Sequence, residues 1–216
     1  MKTPFSTEQF ISVFEKYNSA LYPAQFIILA LGIIAIIFLH SNNIFKNIFI
    51  SGFLGLLWLW IGVVYHLYFF TVINKAAYIF GGLFIIQGLI FLYEAIYRTN
   101  LTFEFDGKVR NYFGYFFILF GLILYPIIGY SIGHDFSKVI CLGLPCPTVI
   151  LSFGFLMITN KTLPIYILII PTIWALISFT AVLNFGIYQD IMLLVSAIIA
   201  GIWLLMRKKN LLINNS

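Results

Sequence analysis

Residues 47–72 read NIFISGFLGLLWLWIGVVYHLYFFTV and contain no Asp, Glu, Lys or Arg. A helix needs about 20 predominantly apolar residues to cross the hydrocarbon core of a bilayer. Within lipid, such a helix also satisfies its own backbone hydrogen-bonding groups. The stretch therefore predicts a membrane-spanning helix.

The composition of the whole chain agrees with a membrane location. Of its 216 residues, 62% are hydrophobic and 9% are charged, whereas a soluble domain has about 25% charged residues. So few polar groups could not cover a surface that faces water. The composition excludes a soluble enzyme, a nucleic-acid-binding domain and a disordered chain, and it makes the lipid bilayer the expected partner.

Seven apolar runs of spanning length follow one another along the chain. They lie at about 23–39, 47–72, 76–97, 112–132, 140–158, 163–183 and 187–206. We predict an all-α fold: a polytopic transmembrane helix bundle of about seven spans (23–206), within a single integral membrane domain covering residues 1–216. The fifth run carries Pro145 and Pro147 near its start, so a re-entrant or broken helix, and a total of six spans, stays open.

The first segment, residues 1–22, is too polar to span a membrane and has the pattern of an amphipathic helix. Ser6 and Gln9 have the spacing of a capping box at its start. Apolar residues repeat at helical spacing along one face, and these are Phe10, Val13, Phe14, Tyr17 and Leu21. We expect this helix to lie in the membrane interface or to fold over the bundle.

The distribution of basic residues predicts the orientation of the chain. With seven spans, eight of the twelve Lys and Arg residues fall on the side of the C-terminal tail, 207–216. Because basic loops stay on the cytoplasmic side, we expect the N-terminus outside and the C-terminus in the cytoplasm.

The parity of the spans brings several polar residues to one face of the membrane, the outer face in this orientation. The second and fourth spans run in the same direction, and the fifth begins where the fourth ends. The predicted cluster consists of His66, His134, Asp135, Cys141 and Cys146.

Several kinds of chemistry fit this cluster, and the sequence leaves them open. Histidine, cysteine and carboxylate side chains could bind zinc or copper, with His66, His134, Cys141 and Cys146 as candidate ligands. The two cysteines could instead form a disulfide or a redox pair, and two histidines could hold a haem. Alternatively, His66 could form a single hydrogen bond at the membrane interface. The two cysteines could then pack as small apolar residues.

Two further polar residues lie inside the third span. Gln87 is expected to hydrogen-bond a neighbouring helix, and Glu94 is placed to form an ion pair with Arg98 four residues later. A proton-relay role is the functional alternative for Glu94. The longest loop, residues 99–111, is either a short hairpin around Asp106-Gly107 or a polar connector.

Several segments of the chain resemble those of a bacterial family of multi-pass membrane proteins of unknown function. The segments are 4–10 (PFSTEQF), 17–25, 58–66 (WLWIGVVYH), 74–78 (NKAAY) and 144–148 (LPCPT). The resemblance covers nearly the whole chain and implies a bacterial inner-membrane protein. It assigns no activity, cofactor or residue role.

Three functions are consistent with these features. The first is a small-solute or ion transporter, a permease that at 24.7 kDa we expect to form a homo-oligomer. The second is a metal- or haem-binding redox protein that uses the His/Cys cluster. The third is a structural or assembly subunit of a membrane complex. A phosphate-binding loop, a paired-histidine zinc helix and a nucleophile elbow are all missing from the sequence, so catalysis is not predicted.

Overall fold

Nine α-helices run through the part of the chain that the computed structural model describes, residues 4–98, 100–132 and 135–214. They are α1 (Thr7–Ala20), α2 (Ala24–Leu39), α3 (Lys46–Trp60), α4 (Ala77–Tyr93), α5 (Val109–Leu119), α6 (Tyr125–Ser131), α7 (Pro145–Met157), α8 (Tyr166–Phe185) and α9 (Ile191–Asn214). π-Helical turns extend α3 (Ile61–Phe69) and α4 (Glu94–Arg98) and join α5 to α6 (Phe120–Leu124). No β-strand occurs in these ranges, so the predicted all-α class is confirmed there.

Four helical stretches among the described residues are long and apolar enough to cross a membrane. They are Lys46–Val72, Ala77–Arg98, Val109–Ser131 and Tyr166–Phe185. The count rises to five if α1 and α2, which meet at an angle of 84°, are taken as one broken span. The prediction of seven spans is therefore not supported.

The predicted fifth span falls short because of its prolines. The segment before Pro145 is a loop, and α7 begins at this proline, which is favourable in the first turn of a helix. The 13 residues of α7 extend only about 20 Å, less than the roughly 30 Å hydrocarbon core. The apolar part of the last helix, Tyr188–Leu204, is short as well.

Helix α1 folds over the bundle with the apolar face that its sequence predicts. The capping box between Ser6 and Gln9 is present in both directions, which confirms that prediction. The residues that α1 buries are Phe10, Val13, Phe14, Tyr17 and Asn18. The Tyr17 hydroxyl donates a hydrogen bond to the Gly143 carbonyl at 2.8 Å, which ties α1 to the loop before α7.

Glycines let two pairs of helices approach at backbone distance. A Cβ atom on Gly55 of α3 would lie 3.0 Å from the carbonyl oxygen of Gly88 in α4, and one on Gly154 of α7 would lie 2.6 Å from that of Gly114 in α5. Small residues at such crossings allow the helix backbones to approach closely. Trp58 of α3 is fully buried. It donates a hydrogen bond to Ser152 of α7 at 2.9 Å.

The loop between α4 and α5 is a connector; within its described residues it forms no hairpin. Phe103 makes an isolated bridge with Thr159, and the Glu104 amide donates to the Ile158 carbonyl at 3.1 Å. Asp106 then pairs with Arg110 at the start of α5 at 2.9 Å. The loop is thereby fixed to the C-terminal end of α7.

Candidate functional site

One end of the helix bundle collects most of the buried polar groups that could act on a ligand. The α3 extension, α6 and α8 finish there, while α4, α7 and α9 begin there, as their order along the chain requires. We call it the Asp190 end. The other end, where α3, α5 and α8 begin, is the Arg110 end.

Asp190 is the central group of the Asp190 end. It lies in the 3₁₀ turn Tyr188–Asp190 between α8 and α9, outside the four candidate spans, and only 2% of its surface is exposed. Its carboxylate accepts hydrogen bonds from the Tyr125 hydroxyl and, at 3.4 Å, from the Cys146 thiol. In the described residues no Lys, Arg or His forms an ion pair with it.

Burial has a direct consequence for the protonation of this carboxyl. Removal from water disfavours the charged form and raises the pKa of Asp190 to about 7, although the hydrogen bonds from Tyr125 and Cys146 act in the opposite direction. Asp190 is therefore poised between its neutral and charged forms near neutral pH. A cation that reached it would favour the charged form.

A cavity of about 200 Å³ lies against Asp190, and we call it the Asp190 cavity. Its inner wall is formed by Asp190, Cys146, Trp174 and Tyr65. The other lining residues are Pro4, Phe5, Phe10, Phe14, Phe70, Asn74, Phe80, Ile140, Pro145, Ile177, Ser178, Thr180, Ala181, Asn184, Phe185 and Ile187. The cavity is thus mainly aromatic and apolar, with a single carboxyl group on its described wall.

Trp174 and His66 contribute buried nitrogen atoms to this region. The indole N–H of Trp174 lies near the sulfur of Cys146 and interacts with it weakly, outside the geometry of a full hydrogen bond. The His66 ring packs on the indole of Trp174 with centroids 5.1 Å apart, and on the ring of Phe84 at 4.7 Å. Neither ring nitrogen of His66 has a hydrogen-bond partner among the described residues.

The beginning of α1 covers the Asp190 cavity with aromatic rings. Phe5 stacks on Phe10 at 5.7 Å and on Phe185 of α8 at 5.3 Å between centroids. Phe10 also contacts Phe70 at 5.8 Å. These ring contacts are apolar and come from Phe5, just before α1, and from Phe10, in its first turns.

The structure separates the two predicted cysteines. Cys146 faces Asp190, whereas Cys141 lines another cavity, of about 520 Å³, together with Asn18 and Gln25. Both thiols are free. Burial raises the pKa of the Cys141 thiol, which lies in the loop before α7, to about 12, so this residue is a thiol and not a reactive thiolate at neutral pH.

The remaining members of the predicted cluster do not reach the Asp190 cavity. Asp135 is exposed and pairs with Lys138 at 3.4 Å, and His134 lies outside the described residues. Within the described ranges no group of three His, Cys, Asp or Glu side chains is close enough to hold a metal ion. The structure thus places both His66 and Cys146 next to Trp174 but assembles no metal site among the described residues.

The polar residues predicted inside the third span are both buried. Gln87 donates to the Ile167 carbonyl of α8 at 3.2 Å, the interhelical hydrogen bond that the sequence predicts. Glu94 accepts hydrogen bonds from Tyr166 and, at 3.3 Å, from Asn100. It does not pair with Arg98 in the described structure, because residues 94–98 form a π-helical turn in which positions four apart no longer stack.

Sequence reasoning missed the residues that make the Asp190 cavity polar. Asp190, Tyr125 and Trp174 were not predicted as a group, because they come from three separate segments. A signal was present, since Asp190 is the only acidic residue after Asp135 in a strongly apolar region. A lone carboxyl beside apolar spans is a functional-site hypothesis by default.

A family whose description reads "Family of unknown function (DUF6064)" matches residues 7–215. No curated protein and no solved structure matches the chain.

Proposed function

The chain belongs to this family of unknown function, and we propose that it is a membrane transporter that binds a small organic cation in the Asp190 cavity. The observation that carries the proposal is a fully buried carboxyl group, Asp190, set among aromatic rings at the wall of a cavity.

A membrane location is supported by the apolar residues on the outside of the helices. Leu56, Ile79 and Leu176, which belong to three of the four candidate spans, are each more than 60% exposed. Soluble monomers rarely expose contiguous apolar surface beyond a few hundred Å². Acyl chains would cover these side chains without cost.

An organic cation matches the chemistry of the cavity wall. A carboxylate attracts positive charge, and the faces of Trp and Tyr rings attract cations through their quadrupoles. Trp174 and Tyr65 lie on the same wall as Asp190, so a quaternary ammonium group could contact all three. Such a ligand would supply a positive charge to the buried carboxylate, which no cationic side chain among the described residues provides.

The size of the cavity restricts the solute further. At about 200 Å³ it is below the range of about 300–1,000 Å³ that is usual for drug-sized ligands and cofactors. A molecule the size of choline fits this volume, whereas a haem does not. The size therefore favours the transporter over the haem alternative.

Uptake by proteoliposomes tests this function. We expect vesicles that contain the purified protein to accumulate radiolabelled choline in a saturable manner, and vesicles with Asp190→Asn to show no more than the leak of empty vesicles. Trp174→Phe should retain uptake with a several-fold higher half-saturating concentration, because a phenyl ring is the weaker cation partner.

The matched control is Glu94→Gln, which neutralises a second buried carboxyl that does not line the Asp190 cavity. It should take up choline like the wild type. Equal uptake by the wild type and Asp190→Asn, or none above empty vesicles by a correctly folded wild type, would contradict the proposal.

A further inference from the structure

Two arginine side chains converge on one backbone oxygen at the Arg110 end. Arg110, which is 8% exposed, donates through Nη1 to the carbonyl of Met157 at 2.8 Å and to the carbonyl of Thr159. Arg207 of α9 also donates through Nη1 to the Thr159 carbonyl, at 2.8 Å. Two guanidinium groups are thus held within contact distance of the same acceptor.

Bringing two cations together is costly unless an anion accompanies them. Partial burial and, after it, the charge of Arg110 lower the pKa of Arg207, and the charge of Asp106 offsets only part of this effect. The adjacent carboxylate is Asp106, which already pairs with Lys108 at 2.5 Å and with Arg110 at 2.9 Å. Within the described residues Asp106 makes no ion pair with Arg207.

The two arginines border a cavity of about 610 Å³, which we call the basic cavity. Lys108 and Lys161 also line it, and no acidic side chain is found among its described lining residues. Trp203 and Met206 of α9 form an apolar side of the same cavity. Cationic and apolar surfaces therefore meet within one site.

We propose that the basic cavity binds a phosphate group, and that this group belongs to an anionic phospholipid. Arginine recognises phosphate oxygens through its planar fork of N–H donors. A phosphate that contacted both arginines would neutralise the charges that converge on Thr159. The apolar side formed by Trp203 and Met206 would then receive the start of an acyl chain.

A purely structural role explains only part of this arrangement. Arg110 satisfies carbonyls at the C-terminal end of α7, where a cation is favourable. Arg207 donates to the second lone pair of the same Thr159 carbonyl and thereby brings a second cation beside Arg110. A phosphate ligand accounts for both arginines, for the cavity and for its apolar side.

Native mass spectrometry of the full-length protein released from detergent tests the proposal. We expect phosphatidylglycerol to stay bound at collision energies that remove phosphatidylcholine, with one lipid bound at saturation. Arg207→Gln should weaken phosphatidylglycerol retention about fivefold, the effect of one basic residue near an anionic lipid. Lys75→Gln, which removes an exposed cation at the Asp190 end, is the matched control and should behave like the wild type.

Arg207 is chosen because Arg110 is buried and its replacement could prevent folding. A second arm adds inorganic phosphate to the lipid-bound protein. If phosphate leaves the lipid in place, the phospholipid assignment holds. If phosphate displaces it and radiolabelled phosphate binds in an Arg207-dependent manner, the site serves free phosphate and the lipid assignment is overturned. Equal retention of both lipids by the wild type and Arg207→Gln, without phosphate binding, overturns the phosphate site itself.

Discussion

The hydroxyl group of Tyr125 donates a hydrogen bond to the carboxylate of Asp190, across 65 positions of sequence. The contact joins the start of α6 to the turn before α9. A buried carboxyl group needs hydrogen-bond donors. The Tyr125 hydroxyl is one such donor, and the Cys146 thiol is another. Both donors are neutral, and in the described part of the chain no cationic side chain pairs with the carboxylate.

The stability of the protein should depend on the protonation of Asp190. Its pKa is raised from 3.8 to about 7 in the folded protein, so folding favours the protonated form. The resulting stabilisation is fully present below the unfolded pKa and is lost as the pH rises through the folded one. We expect the melting temperature of the detergent-solubilised wild type, measured relative to that of Asp190→Asn at the same pH, to fall as the pH is raised from about 4 to about 7.

Asp190→Asn is the reference because an amide does not titrate, so the pH dependence that it retains comes from the other groups of the protein. Asp135→Asn is the matched control, since Asp135 is exposed and pairs only with Lys138 among the described residues. If Asp190→Asn retained the wild-type slope over this range, the assignment of the titrating group to Asp190 would be wrong.

Asp106 should give the opposite dependence in a more acidic range. Burial alone would raise its pKa, but hydrogen bonds from Lys108 and Arg110 hold the pKa of Asp106 at about 2, below the usual 3.8. Its contribution to stability is present above the unfolded pKa and lost as the pH falls through the folded one. We expect Asp106→Asn to flatten the loss of melting temperature between about pH 4 and pH 2; an unchanged acid slope would argue against the contacts with Lys108 and Arg110.

The crossing of α5 and α7 depends on the absence of a side chain at Gly154. A Cβ atom there would lie 2.6 Å from the Gly114 carbonyl oxygen, so Gly154→Ala must push the helices apart. We expect a loss of about 1–3 kcal/mol, as for other overpacked cores, measured by denaturation in mixed micelles.

Gly52→Ala provides the comparison for this variant. A Cβ atom at Gly52 of α3 meets nothing within 4 Å, and alanine is the better helix former. The variant should be as stable as the wild type or slightly more so. If both alanine variants behaved alike, close approach of the backbones at Gly154 would not determine this crossing.

The fold class could be predicted from the sequence because it depends on local properties. A long apolar run without proline, such as 47–72, favours a helix by its own composition, and the pattern from Ser6 to Tyr17 specifies both the start and the buried face of α1. The predicted number of seven spans is not supported. Composition alone does not show where the chain interrupts an apolar run. An apolar run such as 140–158 can be divided between a loop and a short buried helix, as it is around Pro145.

The candidate site was predicted in part, because the parity of the helices determines which end a residue occupies but not which neighbours it meets. The sequence nominated His66 and Cys146, which both pack near Trp174. It also nominated Cys141, only five residues from Cys146, and the turn at Gly143 directs that thiol to a different cavity. The neighbours of a side chain depend on the rotation of its helix about the helix axis and on the path of the loops. Tertiary packing sets both, so the sequence pattern alone does not predict them.

Mapping the reaction of the purified protein with dicyclohexylcarbodiimide tests the central claim most directly. This small apolar reagent couples to protonated carboxyl groups in apolar surroundings, so the Asp190 cavity should admit it. We predict one adduct, found by peptide mass spectrometry on Asp190, formed more slowly as the pH rises through about 7 and suppressed by choline. An adduct on Glu94 with Asp190 unmodified, or labelling of Asp190 that choline leaves unchanged, would contradict an organic-cation site at this carboxyl.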